Sequence, residues 1–251
     1  MKKTEIQLIR NATLKIRYAG KTVLVDPMLS ATGSFMSFIT PEKNSNPTVS
    51  LPFSAKKVVD KTDLVLVTHT HPDHWDPATI ETLDKEIPLF VQPADKEAIS
   101  SAGFKNVTPV DDKAEYGEIK IQRTIGKHGP NETLDILGQV SGYVLSAEGY
   151  PTLYIIGDCI WDSDIEKQLK TYRPDIIVTN SGGAMLMGQY RILMNAEETV
   201  KVAQTIPTAT IVATHMEALD HCMTTRAELR NIAKAKNLNI LVPENGETVT
   251  F

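Results

Sequence analysis

The chain has 251 residues, 41% apolar and 23% charged, with a net charge of −5 and a pI near 5.7. This is the composition of a soluble globular chain long enough to bury a sizeable core. The acidity argues against a general nucleic-acid binder, and no apolar run approaches the roughly 20 residues of a membrane span.

The start, Met1-Lys2-Lys3-Thr4-Glu5-Ile6, is basic but has no long apolar stretch and no small-residue cleavage site, so it reads as a first strand and not as a signal peptide. Two cysteines, Cys159 and Cys222, are too few for a disulfide framework and suit a reducing, cytoplasmic setting. Both lie beside candidate site residues. They read as buried or cleft-lining thiols, with ligand or redox roles left open.

Residues 5–10, 13–18 and 21–25 read as three short strands joined by tight turns at Asn11-Ala12 and Ala19-Gly20. The third ends in Leu24-Val25-Asp26-Pro27, which leaves Asp26 at a strand tip. It is there either as a turn-former or as a carboxylate holding the outer N–H of a metal-binding histidine. Residues 30–54 have no clear period and carry Phe35, Met36 and Phe38 among Gly, Pro, Ser and Asn. A loop of this length is uncommon inside a compact domain. Its apolar content suggests either a flap over an apolar substrate group or a segment that contacts another copy of the chain.

A short helix at 54–60 precedes the apolar run Leu64-Val65-Leu66-Val67, a buried strand. Directly after it comes Thr68-His69-Thr70-His71-Pro72-Asp73-His74-Trp75-Asp76. Pro72 argues against a helix here, and Asp76-Pro77 reads as an N-cap followed by proline in the first helical turn. Three imidazoles and a carboxylate thus sit on a loop between a strand and a helix. His69 and His71 alternate as on extended chain and can converge on one ion, while Asp73 and His74 point to a neighbouring position. Two metals are therefore suggested.

A helix at 77–83, a strand at 88–91, a helix at 93–102 closed by Gly103 and a strand at 106–110 complete the first half. The second half opens with a strand at 117–125, whose end leads to His128, a further ligand candidate. Strands at 139–147 and 152–156 pair, and the second ends in Gly157-Asp158-Cys159. Asp158, with two oxygens, can bridge two ions. A helix at 162–170 and a strand at 175–178 lead to Thr179-Asn180-Ser181-Gly182-Gly183, a turn able to offer N–H groups to an anion. A helix at 196–204 is capped by Asn195, and a strand at 210–213 delivers His215 at its end. His221 follows on a loop before a helix at 225–236. Residues 239–242 and 247–251 read as a closing strand pair around the hairpin-type turn Glu244-Asn245-Gly246. Strands followed by helices, twice over, fit two sheets packed face to face with helices outside.

The stretch from His69 to His74 matches the H-x-H-x-D-H motif, and His128, Asp158 and His215 follow in the order and at the kind of spacing seen in the metallo-β-lactamase superfamily. The chain resembles that family over nearly its whole length. The resemblance implies a single α/β (α+β) domain over 1–251, a four-layer αββα sandwich with the site along one edge. It implies that His69, His71 and His128 hold one divalent ion, that Asp73, His74 and His215 hold a second, and that Asp158 bridges them. The ions expected are zinc or manganese, with iron as the alternative. A hydroxide shared between them would attack a small ester, lactone or phosphoester, with Asp73 orienting it and His221 either donating a proton, binding substrate or serving structure alone. The subgroup it looks most like contains lactonases acting on sugar phosphates, the ascorbate-6-phosphate lactonase group. Competing readings are a di-iron redox protein on the same scaffold and a non-catalytic metal-binding module. The expected partner is a small-molecule substrate, with no nucleic acid and no membrane, and a homo-oligomer is compatible with the 30–54 segment.

Overall fold

The structure is a computed structural model and describes residues 2–251. Three strands open it: β1 (Glu5–Arg10), β2 (Thr13–Tyr18) and β3 (Lys21–Val25). A small hairpin follows, β4 (Phe35–Met36) with β5 (Asn44–Asn46), and then α1 (Ala55–Val59), β6 (Leu64–Val67), α2 (Pro77–Thr82), β7 (Leu89–Val91), α3 (Lys96–Ser101) and β8 (Val107–Pro109). The second half runs β9 (Lys113–Tyr116), β10 (Ile119–Gly126), α4 (Asn131–Leu137), β11 (Val140–Ser146), β12 (Leu153–Ile155), α5 (Ser163–Tyr172) and β13 (Ile176–Asn180). A second hairpin, β14 (Met185–Leu186) with β15 (Tyr190–Arg191), precedes α6 (Ala196–Thr205), β16 (Thr210–Thr214), α7 (Arg226–Ala235), β17 (Ile240–Leu241) and β18 (Thr248–Thr250).

These strands form two seven-stranded sheets, in the orders β18-β1-β2-β3-β6-β7-β8 and β17-β16-β13-β12-β11-β10-β9. In the first, two-residue turns make β1, β2 and β3 antiparallel, and the helical crossovers that follow make β6, β7 and β8 parallel. The second sheet repeats the plan: β10, β11 and β12 are antiparallel, while β13, β16 and β17 are parallel.

The faces follow from side-chain alternation. Val25, Leu64 and Leu66 point between the sheets, against Tyr143, Leu145, Ile155 and Val178 of the other sheet. Leu24, Val65 and Val67 point the other way, beneath Val58 of α1, Leu83 at the C-cap of α2 and Ile99 of α3. The outer face of the second sheet is covered in the same way by Ile165 and Leu169 of α5, Val202 of α6 and Leu229 of α7. Both faces of β6 are therefore covered, which is why all four of its residues are apolar. The layers are αββα, as expected.

Some details differ from the sequence reading. Residues 239–251 do not form a hairpin: β17 pairs in parallel with β16 in one sheet, and β18 pairs with β1 in the other. The turn Glu244-Asn245-Gly246 crosses between the sheets, with Gly246 at φ +90° donating its N–H to the Leu8 carbonyl. Strand β9 was not foreseen; its residues alternate exposed and half-buried at the sheet edge, so they carry no apolar signal. Nor was α4, which contains the polar run Asn131-Glu132-Thr133.

One buried cation organises the segment leading to the first hairpin. The Arg10 guanidinium is fully buried and donates to the carbonyls of Val49 (2.9 Å), Met28 (2.9 Å) and Ser30 (2.8 Å). Burial pulls its pKa down to about 10, partly offset by the Asp76 carboxylate. Asp76 caps α2 by accepting from Thr79 N (2.8 Å) and also accepts from Ser30 N (2.7 Å). Replacing Asp76 by alanine removes a helix cap and strands a second buried N–H. Asp76→Ala is expected to lower unfolding free energy by about 2–4 kcal/mol in a denaturant titration, and a change below about 0.5 kcal/mol would contradict this account.

Candidate metal centre

Each strand of the site region ends at the same edge of the sandwich, and the first polar residues beyond those ends meet there. His69, His71, Asp73 and His74 come from the loop between β6 and α2, which Asp76 pins at its far end. His128 lies just past β10, Asp158 just past β12 and His215 just past β16. They form two adjoining groups, His69-His71-His128 and Asp73-His74-Asp158-His215, and within each group the ligand atoms all lie within 4.8 Å of one another. Asp158 Oδ2 faces both: it is 3.7 Å from His128 Nε2 in one group and 3.2 Å from His74 Nε2 in the other.

The histidines are oriented by what their outer nitrogens touch. His74 Nδ1 donates to Asp26 Oδ2 (2.9 Å), His128 Nδ1 to the Ile192 carbonyl (2.8 Å) and His71 Nε2 to the Leu137 carbonyl (3.0 Å). His69 Nδ1 is 3.1 Å from Thr68 Oγ1. The Thr68 hydroxyl gives its own hydrogen to Asp26 Oδ2 (2.7 Å), so the imidazole must be the donor. His215 Nδ1 faces Cys222 Sγ at 3.7 Å. In His69, His71, His74 and His128 the outer nitrogen donates its hydrogen to a protein oxygen and the other nitrogen faces the cluster, while His215 turns Nε2 inward to Asp73 Oδ2 (3.1 Å); this is the ring orientation a metal ligand requires.

Two observations fit a cation. His69 Nε2 and His71 Nδ1 stand 3.0 Å apart. With both outer hydrogens committed, two lone pairs face each other. His74 Nε2 is buried without a hydrogen-bond partner, although Asp158 Oδ2 and Asp73 Oδ2 lie 3.2 and 3.5 Å away. It is aimed between them at a common point. An imidazole-carboxylate donor set of this kind suits zinc, manganese or iron.

The electrostatics divide along the same line. Burial and the neighbouring imidazoles hold His69 well below its ordinary pKa, and burial pushes His128 down to about 4. Burial also penalises a charged His74, but Asp158, Asp73 and Asp26 overcome it and push that group up to about 10. His215 is likewise raised against burial by Asp158 and Asp73. Asp73 and Asp158 are driven below the usual carboxylate range, against burial, by His74 and His215.

Of the other sequence candidates, Asp26 sits beneath the site and accepts from Thr68 N (2.7 Å), Thr68 Oγ1 and His74 Nδ1. His221 and Phe38 line a cleft of about 210 Å³ over the two groups, together with Pro72, Leu137, Met185, Leu186 and Ile192. Phe35 packs on Phe38 with ring centroids 5.9 Å apart, whereas Met36 is 52% exposed and does not line the cleft. The glycine-rich turn after β13 is not an anion nest. Ser181 N donates to the Thr214 carbonyl and Gly183 N to that of Met194, and a Cβ at Gly182 would lie 2.0 Å from the His215 carbonyl.

Sequence reasoning missed Asn180 and Asn11. Asn180 Nδ2 donates to Asp158 Oδ1 (2.6 Å), which leaves Oδ2 for the histidines. Asn11 Nδ2 donates to the Asp73 carbonyl (3.1 Å), and its own carbonyl accepts from His215 N (3.0 Å). Asn180 is a polar residue at a strand end like the ligands, and that was its signal.

Removing Asp26 frees two ligand histidines from their common support. Asp26→Ala is expected to weaken retention of a bound divalent ion about 10- to 100-fold in competition with a chelator, and unchanged retention would contradict this role. His74, raised above the 6.5 of a free histidine, stabilises the cation-free fold fully only below that pH, and the contribution disappears as pH rises to about 10. Thermal stability of the chelator-treated protein should therefore fall from pH 7 to 10, and adding a divalent ion near pH 7 should release protons into weak buffer. Loading without proton release would contradict this charge assignment.

A family model described as a beta-lactamase superfamily domain matches residues 5–215. UPF0173 protein YddR of Bacillus subtilis is 39% identical over 252 residues, covering 98% of this chain and 99% of that protein. Among solved structures, an isothiocyanate hydrolase from Delia radicum gut bacteria is 37% identical with a TM-score of 0.92, covering 98% of both chains. A possible metal-dependent hydrolase from Veillonella parvula is 34% identical with a TM-score of 0.94, covering 100% of both. The extent of these matches and the His/Asp cluster at the sheet edge agree: the chain belongs to the metallo-β-lactamase superfamily.

Proposed function

We propose that the protein is a dinuclear metal-dependent hydrolase of a small uncharged substrate bearing an electrophilic carbon and an apolar arm, an isothiocyanate first and a carboxylic ester or lactone second. The observation that carries the metal-dependent part is the convergence of five inward-facing ring nitrogens and two carboxylates, with four outer nitrogens donating to protein oxygens and that of His215 facing the Cys222 thiol. His69, His71 and His128 would hold one ion, Asp73, His74 and His215 the other, and Asp158 would serve both. Two divalent ions, zinc or manganese, would supply water activation and polarisation of the substrate there.

The substrate class rests on the cleft. No lysine or arginine lines it, and its ionisable residues are the candidate ligands and His221. Beyond the candidate ligands and the ions they would hold, a phosphate would find no cationic side chain in the cleft, so the lining favours a neutral substrate over a phosphoester or sugar phosphate. A neutral carbon electrophile suits the apolar walls, and the relative from gut bacteria, named for isothiocyanate hydrolysis, is 37% identical over nearly the whole chain.

Hydrolysis of R–N=C=S adds one water to the central carbon and breaks the C–N bond, so a primary amine leaves with both hydrogens and carbonyl sulfide takes the oxygen. Asp73 is held ionised and lines the cleft, where its carboxylate accepts a hydrogen of the attacking water. His221 also lines the cleft, so its ring can hydrogen-bond the leaving nitrogen. Phe38, Leu137, Leu186 and Ile192 keep bulk water from the reacting carbon.

The test is turnover of isothiocyanates, esters and lactones by the zinc- and manganese-loaded protein, with bound metal measured by mass spectrometry. His71→Ala and Asp73→Ala are expected to lower kcat/KM at least about 100-fold, and His221→Ala to lower kcat about 10- to 100-fold with metal content retained. A wild-type protein inert toward the whole panel, or Asp73→Ala at full rate, overturns the reading.

A further inference from the structure

We infer that Asp220 is a positioning residue that latches the β4–β5 hairpin across the cleft, which makes Phe38 the wall that selects the apolar arm of the substrate. This rests on the proposed hydrolysis and deepens it by assigning specificity to residues outside the metal centre.

The hairpin cannot place itself. Its two strands pair only at Phe35 with Asn46 and Met36 with Asn44, and a ribbon that short is not stable alone. Its position comes from the loop after β16. Asp220 Oδ1 accepts from Phe38 N (3.2 Å) and Asn46 Nδ2 (3.1 Å), and Oδ2 accepts from Ser45 Oγ (2.7 Å). The Asp220 N–H donates back to Asn46 Oδ1 (3.0 Å). Next to this clamp, Thr48 N donates to the Ala218 carbonyl (2.9 Å) and Thr48 Oγ1 to that of Glu217 (3.1 Å). One carboxylate thus gathers β5 and the main chain of Phe38, the turn residue that reaches the cleft, while Asn46 Nδ2 also donates to the Met36 carbonyl of β4 (3.1 Å).

Asp220 also immediately precedes His221, whose ring meets Phe38 edge-on at 4.6 Å between centroids and 72° between planes. A single residue therefore sets both members of this pair. The opposite walls are Leu137, Leu186 and Ile192. The exposed residues Met36, Ile39, Ile136, Met187 and Met223 each lie within two positions of a residue lining the cleft, so its surroundings are apolar as well. An aryl or alkyl arm without charge fits between Phe38 and these walls, and a charged arm finds no counter-ion there.

The experiment compares wild type, Asp220→Ala and Asp220→Asn in two readouts. Hydrogen exchange is measured across residues 35–46 of the metal-loaded protein. Asp220→Ala is expected to speed exchange there by at least about tenfold while the sheets stay protected. Asp220→Asn, which keeps an acceptor for Phe38 N and Asn46, is expected to stay near wild type. Kinetics are measured for a methyl, a phenethyl and a carboxylate-bearing isothiocyanate. In Asp220→Ala, KM for the phenethyl compound should rise about tenfold, kcat should fall less than KM rises, and the preference over the methyl compound should largely vanish. Should Asp220→Ala fail to fold, Ser45→Ala removes one donor to the same carboxylate and gives a smaller change of the same kind. Unchanged exchange across 35–46, or an undiminished preference, overturns the latch. A wild-type protein that hydrolyses none of the compounds overturns the proposed function instead, and the exchange result still judges the latch.

Discussion

Two carboxylates and five imidazoles crowd a nearly dry edge of the sandwich, and the fold has to make that crowding tolerable. Among the described residues Asp73, His74, His128, Asp158, His69 and His215 are buried, with only His71 half-exposed. Unpaired, such charges would be expensive to bury. The cation-free site meets the requirement with protons, since His74 and His215 carry charge opposite Asp73 and Asp158. A divalent ion held there would take the place of those protons and satisfy the inward nitrogens at the same time. Asp26 underlies both states: by taking hydrogens from Thr68 and His74 it keeps the inward nitrogens pointing at one place, whatever occupies it.

This arrangement is held partly by backbone that side chains seldom adopt. Asn11 (φ 57°), Asp26 (φ 42°) and His215 (φ 61°) lie in the left-handed region, and all three touch the second group of ligands or its support. Conformations of this kind cost on the order of 1 kcal/mol each and persist only where packing over-determines them. His215 shows how. Its N–H is held by the Asn11 carbonyl, and its own carbonyl lies so near Gly182 that no side chain fits there. A glycine that resembles an anion-binding turn in the sequence therefore makes room for a ligand's main chain.

The candidate ligands were legible because each follows an apolar strand, and a strand buried on both faces announces itself. Leu64-Val65-Leu66-Val67 before His69 and Leu153–Ile155 before Asp158 are such runs. What orients the ligands was not legible. The acceptors for His71 and His128 are main-chain carbonyls of Leu137 and Ile192, and a carbonyl has no signature in a sequence. They arrive on α4 and beside the β14–β15 hairpin, elements whose short, mixed runs carry little periodicity. The closing segment failed for a different reason. Glu244-Asn245-Gly246 is good turn chemistry whether the chain folds back on itself or crosses to another sheet. Only the tertiary partners, β1 for one strand and β16 for the other, decide which.

The division of labour between sheets and insertions follows from these contacts. The sheets deliver the candidate ligands at fixed strand ends and leave little freedom there, because the outer nitrogen of each histidine meets a protein partner. The cleft is different. Its walls come from the β4–β5 and β14–β15 hairpins, from α4 and from the loop around His221, none of which belongs to either main sheet. Such segments can change length and side chains without disturbing the strand ends that hold the ligands. A catalytic centre of one design can therefore meet different substrates according to the hairpins laid over it. In this chain the hairpin is tied by a carboxylate next in sequence to a residue lining the cleft, so that wall is held by side-chain hydrogen bonds as the histidines beneath it are.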